Sequence, residues 1–198
     1  MGEQRVRIVA GKWRGRNLAA PKGMSTRPTS DRVREALFSS LASRLGPDLG
    51  AAIVLDAFAG TGALGLEALS RGAERATFVE SERRALDTLG ANVRALAERD
   101  HARIVPGDVV RLASANGLPG GPFTLLFLDP PYRIDAARVR QLLEALAESH
   151  SLVAGAVVVW EHSSAGGTDW PDDFDVLFEK RYGSTSVSVA AYDRGETE

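Results

Sequence analysis

Short apolar segments alternate with amphipathic ones between residues 53 and 160, and this alternation constrains the fold more than any other feature of the chain. Phe123–Leu128, apolar apart from Thr124, and residues 156–160, apolar throughout, have the pattern expected of strands that are covered on both faces. Residues 136–148 instead carry apolar side chains at helical spacing. Strands and helices in this alternation predict an α/β fold with a mostly parallel sheet and helices on both sides.

The end of the chain predicts how the sheet is closed. Residues 176–181 and 186–192 flank a Gly-Ser-Thr turn and indicate an antiparallel pair that completes a seven-stranded sheet. The predicted strands lie at residues 53–58, 77–80, 104–105, 123–128, 156–160, 176–181 and 186–192, and the predicted helices at residues 31–45, 63–70, 86–96, 108–115 and 136–148.

The beginning of the chain predicts a small appendage. Residues 5–10 and 14–19 have the pattern of two short strands in a β-hairpin, and a proline and glycine cluster at 21–28 separates them from the rest. We therefore expect an arm at residues 1–26, a main domain at residues 27–193 and an acidic tail at residues 194–198.

Positive charge is concentrated in the first part of the chain. Residues 1–35 contain nine Lys and Arg against three Asp and Glu, a balance of +6, which leaves −8 on the remainder because the whole chain carries −2. Cations beside an aromatic ring can attract a phosphate backbone and an unstacked base, although a charge run can also be a solvated surface. The candidate RNA-binding residues are Arg5, Arg7, Lys12, Trp13, Arg14 and Arg16.

Composition excludes several kinds of chemistry. The chain has no cysteine, which rules out disulfides, thiolate zinc sites and the cysteine nucleophile used in carbon-5 methylation of pyrimidines. His101, His150 and His162 lack the spacing of metal ligands, so we expect no metal. No apolar run has the length of a signal peptide core or of a membrane span, and we expect a soluble, cytoplasmic protein.

A glycine-rich turn at residues 56–62 follows the first apolar strand of the main domain. Ligands bind at the carboxyl ends of strands in such a sheet, and glycine allows tight turns and close approach of a ligand to the backbone. Gly60, Gly62 and Gly65 also match the spacing of dinucleotide-binding turns, so the turn alone would favour NAD.

Acids at the ends of three successive strands favour S-adenosylmethionine instead. Asp56 would crowd a pyrophosphate but can accept hydrogen bonds from an amino-acid group, Glu80 can accept the ribose hydroxyls, and Asp108 can accept the adenine amino group. S-adenosylmethionine is cationic at sulfur and carries no phosphate. The predicted cofactor residues in this region are Asp56, Ala57, Phe58, Ala59, Gly60, Gly62, Glu80, Ser81, Asp108, Val109 and Asp129.

A second motif, Asp129-Pro130-Pro131-Tyr132, follows the apolar run at Phe123–Leu128. The two prolines have fixed φ and no amide hydrogen, so the loop is stiff. The Asp129 carboxylate and the Pro130 carbonyl can each accept one hydrogen of a planar amine, and the Tyr132 ring can stack on the base. These four predicted catalytic residues, together with the glycine turn, indicate methyl transfer to an amine nitrogen.

The motifs together resemble those of the RsmD family of bacterial 16S ribosomal RNA guanine-N2 methyltransferases. The resemblance rests on residues 7–16, 27–38, 56–62 with 65–73, and 129–132, and extends to about Tyr192. The chain departs from the family at Ala57, where a larger apolar residue is more usual, which would alter packing under the cofactor but not the chemistry.

The resemblance implies a Rossmann-like, class I S-adenosylmethionine-dependent methyltransferase fold with an RNA-recognition hairpin. It implies methylation of guanine 966 of 16S rRNA during ribosome assembly, with that RNA or the assembling 30S subunit as partner, and it places Thr29 near the methionine end of the cofactor. We expect a monomer. The same loop also serves adenine and cytosine amino methylation, so the identity of the base rests on the resemblance.

Two other functions remain open at this point. A DNA amino methyltransferase, acting on adenine N6 or cytosine N4, shares the motif order and the Asp129 loop, but 198 residues leave no room for a separate target-recognition domain. A non-catalytic RNA-binding assembly factor could keep the same fold, but the intact Asp56, Glu80, Asp129 and Tyr132 speak against it.

Overall fold

The computed structural model describes residues 6–20, 31–46, 49–96, 99–131 and 133–193. Five of the predictions lie outside the described residues: those for Arg5, Thr29, Tyr132, the proline and glycine cluster at 21–28, and the tail at 194–198.

Strands and helices alternate through the main domain, as the sequence pattern predicted. The elements in chain order are β1 (Val6–Arg7), β2 (Asn17–Leu18), α1 (Asp31–Leu45), β3 (Ile53–Asp56), α2 (Ala63–Ser70), β4 (Arg75–Glu80), α3 (Arg83–Ala95), β5 (Ala102–Pro106), α4 (Val109–Asn116), β6 (Phe123–Leu128), α5 (Ala136–Glu148), β7 (Leu152–Ser163), β8 (Phe174–Tyr182) and β9 (Thr185–Tyr192).

The large sheet has seven strands in the order β5-β4-β3-β6-β7-β9-β8. Pairing is parallel from β5 through to β7, whereas β9 runs antiparallel to both of its neighbours. This confirms the predicted fold class, a Rossmann-like α/β fold with a mostly parallel sheet. The strand order reverses between β3 and β6, and such a switch point opens a crevice at the carboxyl ends of the strands.

Two apolar layers cover the faces of the sheet. Leu125 and Phe127 of β6 belong to the layer beneath α1, α2 and α3, whereas Leu126 and Leu128 belong to the layer beneath α4 and α5. Successive side chains of a strand point to opposite faces, so a strand between two layers is apolar at most positions. This explains the apolar run of β6, in which the one polar residue, Thr124, accepts the N–H of Ile53 at 2.9 Å.

The N-terminal hairpin differs from its prediction. We predicted strands at residues 5–10 and 14–19, but the observed ladder pairs only Val6 with Leu18 and Arg7 with Asn17. The prediction of long strands was wrong because several backbone groups of the connecting segment bond to α2 rather than across the hairpin.

Most strand bounds of the main domain also differ from the sequence pattern, and two strands show why. The first core strand ends at Asp56 rather than at residue 58, because the glycine turn begins there. β7 spans Leu152–Ser163, well beyond the apolar residues 156–160, because its far end pairs with β9. Within the described residues, the helices are too short or too polar to cross a membrane.

Candidate functional site

The crevice at the strand-order switch brings the two sequence motifs together. β3 and β6 are parallel neighbours in which Asp56 pairs with Phe127, so the glycine turn and the Asp129 loop leave adjacent strands at the same edge. Glu80 ends β4 at this edge, and Asp108 follows β5 there. The structure therefore places these four predicted acids along one rim of the sheet.

Asp56 supports the glycine turn from beneath. Its side chain is buried, and Oδ2 accepts a hydrogen bond of 2.9 Å from the backbone N–H of Gly65 in the first turn of α2. Gly62, at the N-cap of this helix, has φ of 81° and no side chain with which to cap it. The Asp56 carboxyl thus satisfies a helix N–H that the N-cap residue leaves unpaired.

Burial also changes the acidity of Asp56. Loss of solvent raises the pKa of its carboxyl from an ordinary 3.8 to about 7, with a further upward contribution from the Glu80 charge. The hydrogen bond from Gly65 opposes this shift because it favours the carboxylate.

Glu80 links the glycine turn to the end of β4 through hydrogen bonds. One carboxylate oxygen, Oε2, accepts the N–H of Gly60 at 2.8 Å, and the other, Oε1, accepts the N–H groups of Ser81 and Glu82 at 2.7 Å each. The Glu80 side chain is half-buried, so its oxygens lie at the edge of the crevice, in contact with the turn. Such a carboxylate can accept further hydrogen bonds from the hydroxyls of a ligand.

The three glycines of the turn have different roles. A Cβ added at Gly60 would meet nothing within 4 Å, so open space lies beside this residue. A Cβ at Gly62 would overlap Leu89, and one at Gly65 would overlap the Phe78 ring. The missing side chains of Gly62 and Gly65 thus let α2 pack closely on its neighbours, and contact of Gly62 with the cofactor remains a prediction.

The Asp108 carboxylate already accepts hydrogen bonds from other groups of the protein. It caps α4 by accepting the Arg111 N–H at 3.0 Å, and its Oδ2 lies 3.2 Å from Nη2 of Arg138. Partial burial alone would raise the pKa of this carboxyl, but the Arg111 and Arg138 hydrogen bonds outweigh it and hold the pKa below its ordinary value. Asp108 is thus a fixed carboxylate, still half-exposed at the rim.

The other predicted cofactor residues provide the floor and the sides of this region. Ala57, Ala59 and Val109 are buried, Phe58 is half-buried, and Ser81 is exposed. Ala57, the departure from the family pattern, packs in the apolar layer beneath α4 and α5.

Asp129 stands at the mouth of the crevice. The residue is exposed at the surface, yet the surrounding protein withdraws solvent from its carboxyl. This loss of solvent, together with the negative charges of Glu161 and Asp56, raises the pKa of Asp129 well above its ordinary value. Water on the open side screens these effects, and a base bound over the loop would strengthen them.

The loop after Asp129 folds back on itself. The carbonyl of Pro131 accepts a hydrogen bond of 2.8 Å from the N–H of Ile134, just before α5 begins. Pro130 is half-buried and Pro131 is exposed, so the loop lies at the surface rather than in the core.

The hairpin is docked on the main domain by buried polar side chains that the sequence analysis did not single out. The Glu67 carboxylate of α2, fully buried, accepts the N–H groups of Val9 at 2.7 Å and Ala10 at 3.0 Å. Ser70 Oγ accepts the N–H of Trp13 and donates to the carbonyl of Ala10. One signal was available, because Glu67 is an acid within an otherwise apolar helix.

Asn92 of α3 holds the other end of the hairpin. Its Oδ1 accepts the Ala19 N–H at 2.8 Å, and its Nδ2 donates to the carbonyls of Ala19 and Thr61. The Asn92 side chain thus forms hydrogen bonds to both the hairpin and the glycine turn. Val6, Ile8 and Leu18 bury their side chains in the layer beneath α1, α2 and α3.

Most of the described candidate RNA-binding residues are exposed. Arg7, Lys12, Arg14 and Arg16 are exposed, and Arg16 donates to the carbonyl of Ala95 at 3.0 Å. Trp13 is half-buried against the main core, with Lys12 Nζ 4.3 Å from its ring centre. The structure therefore gives Trp13 a packing contact, and its role in RNA binding remains a prediction.

A cavity of about 450 Å³ lies at the opposite end of the sheet. It is lined by the amino ends of β4 and β5, including Arg75, Arg99 and Arg103, and by Gly120 and Gly121. Because parallel strands place their ligand sites at the carboxyl ends, we assign the chemistry to the crevice rather than to this cavity. In the described part of the chain, no group of three or more metal-ligating side chains is arranged to hold a metal ion.

Comparison with known sequences decides the family. The family model for conserved hypothetical protein 95 matches residues 6–191. The chain belongs to this family. The family is the RsmD family that the sequence motifs indicated. The ribosomal RNA small subunit methyltransferase D of Escherichia coli K12 is 39% identical over 165 residues, which cover 82% of this chain and 76% of that protein.

Other RsmD relatives agree along most of the chain. The ribosomal RNA small subunit methyltransferase D of Haemophilus influenzae is 34% identical, with 93% of this chain and 92% of that protein covered. A solved Escherichia coli protein, 32% identical, superposes with a TM-score of 0.83 over 96% of this chain and 99% of its own.

Proposed function

We propose that this protein methylates the exocyclic N2 of a guanine in small-subunit ribosomal RNA, with S-adenosylmethionine as methyl donor. The observation that carries the proposal is the meeting of the glycine turn and the Asp129 loop at one crevice, on adjacent parallel strands. A donor held on the turn and an amine held on the loop are then within reach of each other.

The residues of the crevice fit S-adenosylmethionine. Open space beside Gly60 leaves the backbone of the turn accessible, and the Glu80 carboxylate beside it can accept the two ribose hydroxyls. Asp108 remains a carboxylate at the rim. Asp56 acts mainly from below, by holding the turn. Solved proteins of the same fold include an RNA methyltransferase from Salinibacter ruber in complex with S-adenosylhomocysteine, at 17% identity.

Asp129 and Pro130 would orient the amine. The lone pair of a guanine amine is delocalised into the ring, so the nitrogen is a poor nucleophile until its hydrogens are held and its geometry becomes tetrahedral. The Asp129 carboxylate and the Pro130 carbonyl accept those two hydrogens and stabilise the positive charge that develops on nitrogen.

S-adenosylmethionine, when bound, supplies a methyl group on a cationic sulfur, which keeps the electron pair of the carbon–sulfur bond when the nitrogen takes the carbon. The nitrogen must then lose one proton. Asp129, whose pKa is raised, lies where it can accept that proton and release it to water.

The substrate is proposed from the relatives and from the charge of the chain. The curated relatives from Escherichia coli and Haemophilus influenzae are named ribosomal RNA small subunit methyltransferase D, and the exposed cations of the hairpin suit a phosphate backbone. We propose guanine 966 of 16S RNA as the target on the family resemblance. An enzyme with this substrate would act in the cytoplasm, on free RNA or on an assembling subunit.

The test is methyl incorporation from labelled S-adenosylmethionine into three substrates: naked small-subunit RNA, assembling small subunits, and duplex DNA. We expect label in RNA or in subunits, and none with Asp129→Ala, although that variant still binds the donor. Incorporation only into DNA would overturn the proposal, and unchanged turnover of Asp129→Ala would remove this residue from the mechanism.

A further inference from the structure

Glu161 is a fifth acid at the crevice, with no role in the chemistry derived above. It lies on β7, which pairs in parallel with β6 so that Trp160 stands opposite Leu128. The next pair in this register is Glu161 beside Asp129. Since adjacent parallel strands lie about 4.8 Å apart, the backbones of Asp129 and Glu161 are neighbours at the same edge of the sheet.

Both side chains lie on the same face of the sheet. Leu128 and Trp160 are buried in the layer beneath α4 and α5, and successive residues of a strand point to opposite faces. Asp129 and Glu161 therefore lie on the other face, to which Asp56 also directs its side chain toward α2. The electrostatic interaction of Asp129 with Glu161 and with Asp56 agrees with this placement.

The strand that carries Glu161 is fixed beyond the end of β6. Glu161 pairs with Val187 of β9, and the ladder continues through His162 and Ser163. His162 Nε2 lies 2.8 Å from the buried Ser188 Oγ, which anchors the strand end further. Glu161 is half-buried, and its charge acts on the Asp129 carboxyl beside the crevice. Site residues on strands are positioned more precisely than those on loops.

The edge of guanine to be methylated presents three neighbouring donor hydrogens: two on N2 and one on N1. Asp129 and Pro130 account for the two on N2. Adenine and cytosine present an amine as well, but the ring nitrogen beside it is an acceptor, so a carboxylate there would face a lone pair. A third acceptor beside Asp129 would therefore distinguish guanine from the other two bases.

We propose that the Glu161 carboxylate accepts the N1–H of the target base and thereby selects guanine over adenine and cytosine. The inference rests on the proposed function and deepens it, because the Asp129 loop by itself accepts any of the three amines. Glu161 is then a specificity residue that contacts the substrate, next to the residues that hold the reacting nitrogen.

The experiment compares two RNA substrates that differ in the protonation of N1. One carries guanine at the target position, and the other carries 2-aminopurine, which keeps the amine at position 2 but has an unprotonated N1 and no oxygen at position 6. For each substrate we would measure kcat/KM with the native protein, with Glu161→Gln, and with Glu148→Gln. Glu148 is an exposed residue at the end of α5 and serves as a control for loss of one carboxylate.

The native protein and Glu148→Gln should both prefer guanine to 2-aminopurine by about 10- to 100-fold, the range of one good polar base contact. Glu161→Gln should act more slowly on guanine and faster on 2-aminopurine, because an amide can donate to the unprotonated N1. The preference should therefore fall close to 1, whereas binding of the methyl donor alone should stay unchanged.

Two results would overturn the inference and leave the proposed function standing. One is an equal preference for guanine in the native protein and in Glu161→Gln. The other, which needs no variant, is equal turnover of guanine and 2-aminopurine by the native protein. Failure of the proposed function has a different signature, because the native protein would then place no methyl group on the guanine N2 of the first substrate.

Discussion

At the scale of single residues, Asp56 combines a structural task with an unusual acidity. It must lie beneath the turn to accept the Gly65 N–H, and there burial raises the pKa of its carboxyl to about 7. Since the folded-state pKa lies above the unfolded value, the stability linked to this group is fully present below about pH 4 and is lost as the pH rises through about 7.

Asp56→Asn should remove this pH dependence. The amide oxygen of Asn can still accept the Gly65 N–H, but the side chain stays neutral at every pH. The free energy of unfolding of the native protein should therefore fall relative to that of the variant by about 2–4 kcal/mol between roughly pH 5 and pH 8. Urea unfolding of both proteins across this range measures the difference, and parallel pH profiles would show that Asp56 is not buried as described.

Asp129 leads to a prediction about rate rather than stability. Only the carboxylate form of Asp129 accepts the amine hydrogens. Loss of solvent, and to a smaller extent repulsion from the charges of Glu161 and Asp56, raises the pKa of this carboxyl. The value of kcat/KM should therefore rise with pH through a limb that lies above the ordinary carboxyl range.

Glu161→Gln should move this limb to lower pH, because it removes one of the repelling charges. Donor binding followed over the same pH range separates the limb from effects on the cofactor site. A limb that stays in place in Glu161→Gln would mean that the titrating group is not Asp129.

At the scale of elements, the docked hairpin depends on a close approach to α2. Gly11 has φ of 83°, and a Cβ on it would overlap the Ser70 carbonyl that accepts the N–H of Lys12. Gly15 offers a matched control, because its φ is 82° and a Cβ there would meet nothing within 4 Å.

Ala at either position costs about 1–2 kcal/mol for the left-handed backbone, but only Gly11→Ala adds a steric overlap. Gly11→Ala should therefore speed hydrogen exchange at the amides of Val9, Ala10 and Trp13, whereas Gly15→Ala should leave them protected. Equal protection in the two variants would show that the hairpin does not depend on this contact.

The cations of the hairpin should determine the salt dependence of RNA binding. Replacing Arg14 and Arg16 by Gln should weaken binding and flatten the plot of log affinity against log salt by about 0.7–0.9 for each lost phosphate contact. Gln at Arg99 and Arg103 removes the same charge at the cavity beside the amino ends of β4 and β5 and should leave the slope unchanged. An unaltered slope for Arg14 and Arg16 would make the hairpin a structural element only.

Elements with local signals could be predicted from the sequence, and those with distant partners could not. α2 and α5 have the predicted bounds because apolar spacing and helix ends are local properties. The hairpin strands were predicted too long because Glu67 and Ser70, nearly 60 residues away, take the backbone hydrogen bonds that a ladder would use.

At the scale of the whole molecule, the sheet assembles the site from segments far apart in the chain. Asp56 and Asp129 could be predicted to meet because parallel strands end at one edge. Glu161 could not, because the register of β6 against β7 places it there and the apolar pattern of β7 stops before it. The roles of Gly62 and Gly65 likewise depend on Leu89 and Phe78, which only the fold brings near.

The most direct test of the central claim is nucleoside mass mapping of small-subunit RNA. Cells that lack the protein would be compared with cells that regain either the native chain or Asp129→Ala. We expect N2-methylguanosine at one position to be absent without the protein, restored by the native chain and not restored by Asp129→Ala. The account would be contradicted if that nucleoside persisted without the protein, if the methyl group lay on another base, or if Asp129→Ala restored it.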